Sequence, residues 1–329
     1  MLIFSLDAQF AQGKALLAAL RKRLIAIEFT FDDFSFDDST CMGEHVQRQF
    51  PDGESYLNII SDVAGQDVVV LCQLHHPNNK LIELMLFAET VKQQGAKTVS
   101  LVAPYLAYMR QDKKFQPGEC ITSRHVSAWL NERFDSIITI DPHLHRYHQL
   151  NEIYRIPNAV LHATDLMADY IRQHITRPLI IGPDSESEQW ANAVAQDAGC
   201  ESIVLTKVRN GDHDVEVSLP ELENYPDHQP VLIDDIISTG KTMIKAAENI
   251  VSLGGKSPIC ICVHPVFAEG ALEEMQQADI AEVISCDTII HKTNKITVVD
   301  KLAQAIITMQ AGLNKQSHFQ FDIPLKAEL

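Results

Sequence analysis

The chain has 329 residues, 46% of them hydrophobic and 22% charged, the composition of a soluble globular protein long enough for two domains of ordinary size. With 27 Lys and Arg against 44 Asp and Glu the net charge is −17, which argues against duplex nucleic acid as the main partner, since neutralising phosphates needs a basic surface. The opening MLIFSLDAQF has no basic segment leading into a long apolar one, and no run of about 18 apolar residues follows anywhere, so neither a secretory signal nor a membrane span is expected.

In chain order, EFTFDDFSFDDS (28–39) is acidic and aromatic and reads as a hairpin or surface loop. PDGE within QFPDGESYLNI (49–59) is a turn by composition. Apolar, β-branched runs then alternate with helical patterns. Strands are predicted at 67–73, 98–105, 136–143, 178–184, 202–208, 231–237, 258–264 and 282–288. Helical stretches between them include LIELMLFAETVKQQG, ITSRHVSAWLNERF, ESEQWANAVAQDAG and TMIKAAENIVSLGG, several closing on a glycine stop at Gly95, Gly199 and Gly254. Continuous apolar strands separated by helices of this length predict parallel sheets covered on both faces, an α/β class. The domain boundary is expected near 155–163, giving domains at 1–158 and 159–312, and a tail at 313–329 without clear periodicity. The seven cysteines are scattered without a C-x-x-C pair and read as reduced thiols of a cytoplasmic protein, with Cys260 and Cys262 in the core of a strand.

Ligands of open parallel sheets bind at the carboxyl ends of strands, and four strand ends here are polar. PYLAYMRQDKK follows one, DPHLH ends another, GPDSESE a third and DDIISTGKT a fourth. The last has the Gly240-Lys241-Thr242 ending of an ATP-binding loop, but the glycine that pattern needs five residues earlier is Asp235. Ser238, Thr239 and Thr242 offer hydroxyls, and Gly240 lets backbone N–H groups approach an anion at a helix N-terminus. Asp234 and Asp235 can accept hydrogen bonds from vicinal sugar hydroxyls. The stretch therefore reads as a cradle for a sugar phosphate. Lys207 and Arg209 alternate on a predicted strand and so share a face, which suits neutralisation of phosphate charge. His143, His145 and His148 lack the supporting ligands of a zinc site.

Two acids, two apolar residues and then S-T-G-K-T resemble the phosphoribosyl-pyrophosphate loop of the type I phosphoribosyltransferase fold. That leaves a transferase, a regulator or a synthetase open. QFPDGE (49–54), PYLAYMRQDKKFQPGECIT (104–122), the D-P-H of 141–143, G-P-D at 182–184 and K-V-R at 207–209 resemble, in the same order, the motifs of ribose-phosphate pyrophosphokinases, also called phosphoribosyl-pyrophosphate synthetases. The resemblance spans residues 45–305 and implies two domains of the phosphoribosyltransferase type, each a mainly parallel sheet flanked by helices. It implies ATP contacts at Phe50, Asp52, Gly53, Glu54, Arg110, Gln111 and Asp112, with Asp112 orienting Arg110. Ribose 5-phosphate falls to Asp234, Asp235, Ser238, Thr239, Gly240, Lys241 and Thr242, Mg²⁺ to His143 and Asp184, and catalytic charge stabilisation to Lys207 and Arg209. It further implies a homo-oligomer with the active site at a subunit interface, ATP and ribose 5-phosphate as substrates, and neither nucleic acid nor membrane as a partner. Two departures stand out: Ser238 where many bacterial members have Asp, and Lys241 in place of a second glycine. A non-catalytic relative of the synthetases and a phosphoribosyltransferase are the rival readings.

Overall fold

A computed structural model describes residues 1–6, 10–28, 40–183, 187–210, 214–218 and 222–319. The predicted acidic segment at 28–39 falls almost wholly outside them. The chain divides by its internal contacts into two compact units, one of residues 1–161 with 299–329, the other of residues 162–298.

The first unit contains β1 (Leu2–Ser5), α1 (Phe10–Glu28), β2 (Cys41–Met42), β3 (His45–Gln49), β4 (Ser55–Ile59), β5 (Asp67–Leu71), α2 (Pro77–Gln93), β6 (Thr98–Ala103), α3 (Thr122–Arg133), β7 (Ser136–Ile140) and β8 (Asn158–Leu161). Its sheet is six-stranded in the order β2-β1-β5-β6-β7-β8, with every pair parallel. The Val68–Leu71 run is wholly buried, as expected of a strand covered on both faces. β3 and β4 stand apart as a two-stranded antiparallel hairpin.

The second unit runs through α4 (Thr164–His174), β9 (Pro178–Gly182), α5 (Glu188–Ala198), β10 (Glu201–Val204), β11 (Thr206–Asn210), β12 (Asp214–Ser218), β13 (Gln229–Ile237), α6 (Lys241–Ser252), β14 (Ile259–Pro265), α7 (Ala271–Gln277), β15 (Glu282–Cys286) and β16 (Asn294–Ile296). Its parallel sheet, β10-β9-β13-β14-β15-β16, repeats the first sheet strand for strand. The correspondence extends to the turns: α2 and α6, which follow equivalent strands, both begin on a left-handed residue, His76 (φ 50°) and Gly240 (φ 71°). Leu232, Cys260 and Cys262 lie in the core beneath α6, alongside Met243, Ala247 and Ile250. All seven cysteines are free.

Three expectations are corrected. The single strand predicted at 202–208 is two. β10 ends at Val204, the Leu205 N–H makes a last bond to Gly182 O (2.9 Å), and β11 then pairs antiparallel with β12 in a separate ribbon. Pro183, lacking an N–H, cannot continue the ladder. The segment from 313 was expected to be irregular, but α8 (Val299–Phe319) continues helical to Phe319, the last described residue. Gly312 in its interior costs only about 1 kcal/mol, too little to break a helix held by packing. Finally, α8 groups with the first unit, so residues 299–312, expected in the second domain, sit against α1, and Gln310 Nε2 donates to Ser100 Oγ on β6 at 2.9 Å.

Candidate active site

β13 is the longest strand of its sheet and outruns its neighbour. Its pairing with β9 stops at Leu232, while on the other side β14 accompanies it to Ile237. Asp234 and Asp235 therefore stand on a protruding, half-buried strand end with one edge open. The Asp235 N–H donates to Asp234 Oδ1 at 2.9 Å, which fixes the first carboxylate beside the backbone.

The turn that follows is braced from behind. Ser238 O accepts the Ala268 N–H at 3.0 Å, tying it to the loop after β14. Gly240 lies at φ 71°, and a Cβ there would come within 2.8 Å of the Met275 side chain on α7. Glycine is thus required twice, by the left-handed backbone and by close contact. No side chain caps α6, so the N–H groups of its first turn are open to an anion, and Thr239, Lys241 and Thr242 are exposed around them. Lys241, in the place of a second glycine, sits at the first helical position without positive φ, so the turn accommodates it. It lines a cavity of about 240 Å³ with Thr242, Lys245, Pro183 and Leu205. Lys245, one helical turn on, was not picked out from the sequence, although its i, i+4 spacing from Lys241 signals it.

Lys207 and Arg209 occupy alternate positions of β11, opposite Val217 and Val215 of β12. Asp184 lies outside the described residues.

In the first unit, the chain leaves β6 through Pro104 to Met109, nearly all buried, and Arg110 is the first exposed residue of this loop. The buried stretch holds Arg110 out on a rigid base, with Tyr108 at φ 62° and its hydroxyl bonded to Asn78. Asp112 was expected to orient Arg110. Instead its carboxylate, 5% exposed, faces Arg146 (3.7 Å) from the loop after β7. Arg110 itself is exposed, and among the described residues no ion pair joins it to Asp112. Tyr147 adds to the link: its hydroxyl donates to Asp112 O (3.5 Å) and lies 3.3 Å from Ser123 Oγ. Gln111 is tied to α3 through Thr122 Oγ1 and the Ser123 N–H, each at 3.4 Å. Arg146 and Tyr147 carry no local signal in the sequence, because only the packing of two strand-end loops brings them to Asp112.

His143 lies close to His145, ring centroids 3.9 Å apart with the planes tilted by 60°, just beyond Asp141, which is buried at φ 34°. Among the described residues no three His, Cys, Asp or Glu side chains come together as a metal cluster.

Phe50, Asp52, Gly53 and Glu54 form the tip of the β3–β4 hairpin. Glu54 O accepts the Phe50 N–H at 2.8 Å, the Gly53 N–H returns to Phe50 O at 2.9 Å, and Asp52 Oδ1 accepts the Glu54 N–H at 3.3 Å. The turn needs Gly53 at φ 92°. Phe50 is 39% exposed, and the Arg48 guanidinium lies over its ring (4.6 Å) and over that of Tyr56 (4.3 Å), directly across the hairpin. Arg48 is a second residue the sequence reading passed over; alternation along β3 signals it only once the hairpin register is known.

Known proteins share the two-domain organisation. The family model for the N-terminal domain of ribose phosphate pyrophosphokinase matches residues 1–133, and that for the phosphoribosyl transferase domain matches 149–301. The ribose-phosphate pyrophosphokinase of Sulfolobus acidocaldarius is 33% identical over 262 residues, covering 77% of this chain and 87% of the relative. That of Methanothermobacter thermautotrophicus is 33% identical over 271 residues, covering 82% and 93%. The crystal structure of phosphoribosylpyrophosphate synthetase from Mycobacterium smegmatis superposes with a TM-score of 0.78 at 22% identity, covering 94% of this chain and 99% of that one. With both domain types in order and relatives matched over most of their length, the chain belongs to the ribose-phosphate pyrophosphokinase family.

Proposed function

We propose that the protein is a ribose-phosphate diphosphokinase, which transfers the β,γ-pyrophosphoryl group of Mg-ATP to the C1 hydroxyl of ribose 5-phosphate. The products are 5-phosphoribosyl 1-pyrophosphate and AMP. The observation that carries this reading is the uncapped, braced turn after β13, with two half-buried aspartates just before it. An anion on the turn and a diol on the carboxylates describe a pentose phosphate better than they describe a nucleotide polyphosphate. A phosphoribosyltransferase would share that loop, but has no need of an exposed arginine on the loop after β6 or of an aromatic hairpin tip.

Each part has a task. Asp234 and Asp235 hold the ribose hydroxyls, and residues 238–242 hold its 5-phosphate. Arg110 offers a planar fork to the polyphosphate, Gln111 contacts the adenosine, and Asp112 fixes this loop through Arg146. Phe50 stacks on the base, with Asp52, Gly53 and Glu54 as polar contacts. The C1 hydroxyl oxygen attacks the β-phosphorus in line. The bond from the β-phosphorus to the α,β-bridging oxygen breaks, AMP leaves with that oxygen, and the hydroxyl proton is released. Lys207 and Arg209 neutralise the charge that builds on the transferring group. Mg²⁺, held near His143 and Asp184, supplies further neutralisation of the phosphate oxygens when bound.

A homo-oligomer belongs to this reading, because the exposed hairpin tip suits a base held by a second copy. A cytoplasmic location agrees with seven free cysteines. Among the described residues no helix is long and apolar enough to cross a membrane.

Phosphorus NMR of the protein with ATP, ribose 5-phosphate and Mg²⁺ tests the reaction. AMP and a pyrophosphorylated ribose should appear together, and Lys207→Ala should slow both by about 100-fold or more. Folded protein that makes neither product across a range of Mg²⁺ and phosphate concentrations would point to a non-catalytic relative.

A further inference from the structure

Two polar side chains of the first unit line one cavity and have no partner among the described residues. Glu83, on the inner face of α2, is only 8% exposed, and no donor or cation reaches its carboxylate among the described residues. Ser5, at the carboxyl end of β1, is 4% exposed, and its hydroxyl makes no hydrogen bond. Together with Met42, His45, Arg48 and Ile60 they line a cavity of about 680 Å³ at the base of the β3–β4 hairpin. Native proteins rarely leave a buried hydroxyl such as that of Ser5 unsatisfied, whereas the Glu83 carboxylate, on a side chain almost wholly covered by the fold, keeps contact with solvent but has no protein partner among the described residues.

The cations nearby are occupied. Lys80, on the same helix, donates to Gln73 O at 2.8 Å and lies 3.1 Å from His75 Nδ1. Arg48 lines the cavity, but its guanidinium lies over the rings of Phe50 and Tyr56. A divalent metal is a poor candidate, since among the described residues no cluster of three ligating side chains forms. Both orphans can accept a hydrogen bond, and one is negative. Met42 and Ile60 add apolar wall, and an exposed second carboxylate, Glu44, also borders the space. The occupant must therefore bring positive charge, N–H donors and some hydrocarbon.

We propose that this cavity binds a small aliphatic cation with ammonium or guanidinium ends, donating N–H bonds to Glu83 and Ser5 in its depth. A second cationic end is drawn to Glu44. Glu83 and Ser5 have no task in the proposed reaction, so their binding of a cation stands or falls independently of that activity, although Arg48 borders both the cavity and the hairpin tip.

Isothermal titration calorimetry of the full chain with agmatine, at ionic strength matched with sodium chloride, tests it. One agmatine should bind saturably per chain at sub-millimolar concentration. Glu83→Gln should weaken binding by roughly 20-fold or more, and Ser5→Ala by about threefold, as expected for a charge-assisted and a neutral hydrogen bond. Glu83→Gln is isosteric and relieves an unpaired charge, so the free variant should melt no lower than the parent. The proposal is overturned by the absence of saturable heat above the salt control, or by equal affinity of the parent and Glu83→Gln. It is also overturned if magnesium chloride saturates the cavity in place of agmatine. A lower melting temperature for Glu83→Gln would equally sink it, because Glu83 would then have a structural partner.

Discussion

Gly240 shows how one residue can serve two constraints. Its φ of 71° disfavours any side chain, and Met275 occupies the place where a Cβ would stand. Gly240→Ala should therefore lower stability by about 1–3 kcal/mol, combining left-handed strain with overpacking. It should also raise KM for ribose 5-phosphate more than KM for ATP, since it shifts the turn and leaves the first unit alone. Trimming Met275 to Ala in the same chain should recover part of the stability and little of the KM. Equal losses for both substrates would detach the turn from the sugar phosphate. The sequence disclosed the turn because S-T-G-K-T after two acids is local chemistry, complete within nine residues at 234–242. It could not disclose Met275, which reaches the turn only through packing of α7. The partner of Asp112 was hidden for the same reason: local order suggested Arg110, two residues away, and the fold supplies Arg146 from another loop. Short-range chemistry is legible, whereas long-range pairing waits on the topology.

At the scale of an element, the β3–β4 hairpin is instructive. The sequence yielded its turn, P-D-G-E, but not its two strands, because His45–Gln49 and Ser55–Ile59 are half-exposed and lack the apolar runs that marked the buried strands. The break between β10 and β11 was hidden the opposite way, by an apolar run that continues after the sheet has ended. At the hairpin's base, the His45 ring lies 5.8 Å from that of Phe4 and 6.5 Å from that of Phe87, and burial lowers its pKa below the usual 6.5. On acidification the unfolded chain takes up this proton near its ordinary pKa, while the folded chain takes it up only at lower pH. Between those points the unfolded state binds more protons, so stability falls as pH falls. Thermal melts from pH 7 to pH 5 should therefore decline, and decline less in His45→Gln, where nothing titrates at that position. Parallel slopes for the two proteins would show that the ring is protonated as easily folded as unfolded.

For the whole molecule, the chain's path matters most. It builds one six-stranded unit, then a second of the same strand order, and then returns α8 to the first. The alternation of strands and helices was plain in the sequence, since buried parallel strands must be continuous apolar runs. The return of α8 was not, because an amphipathic helix shows that one face is buried without showing against what. Leu302, Ala303 and Ile306 form that face, Arg23 on α1 donates to Gln304 Oε1 at 2.9 Å, and Lys97 Nζ donates to Asn314 Oδ1 at 2.6 Å. A helix that packs on α1 and β7 should stabilise the unit it covers. Ile306→Ala, at a site 1% exposed, should cost about 2–5 kcal/mol, through lost transfer energy and the cavity left behind. Hydrogen exchange followed by mass spectrometry can locate that cost. Protection should fall in α1 and β6 of the first unit, while β13 and β14 of the second keep theirs, since units with separate cores open separately. Equal loss of protection in β13 would mean that the two units unfold as one cooperative body.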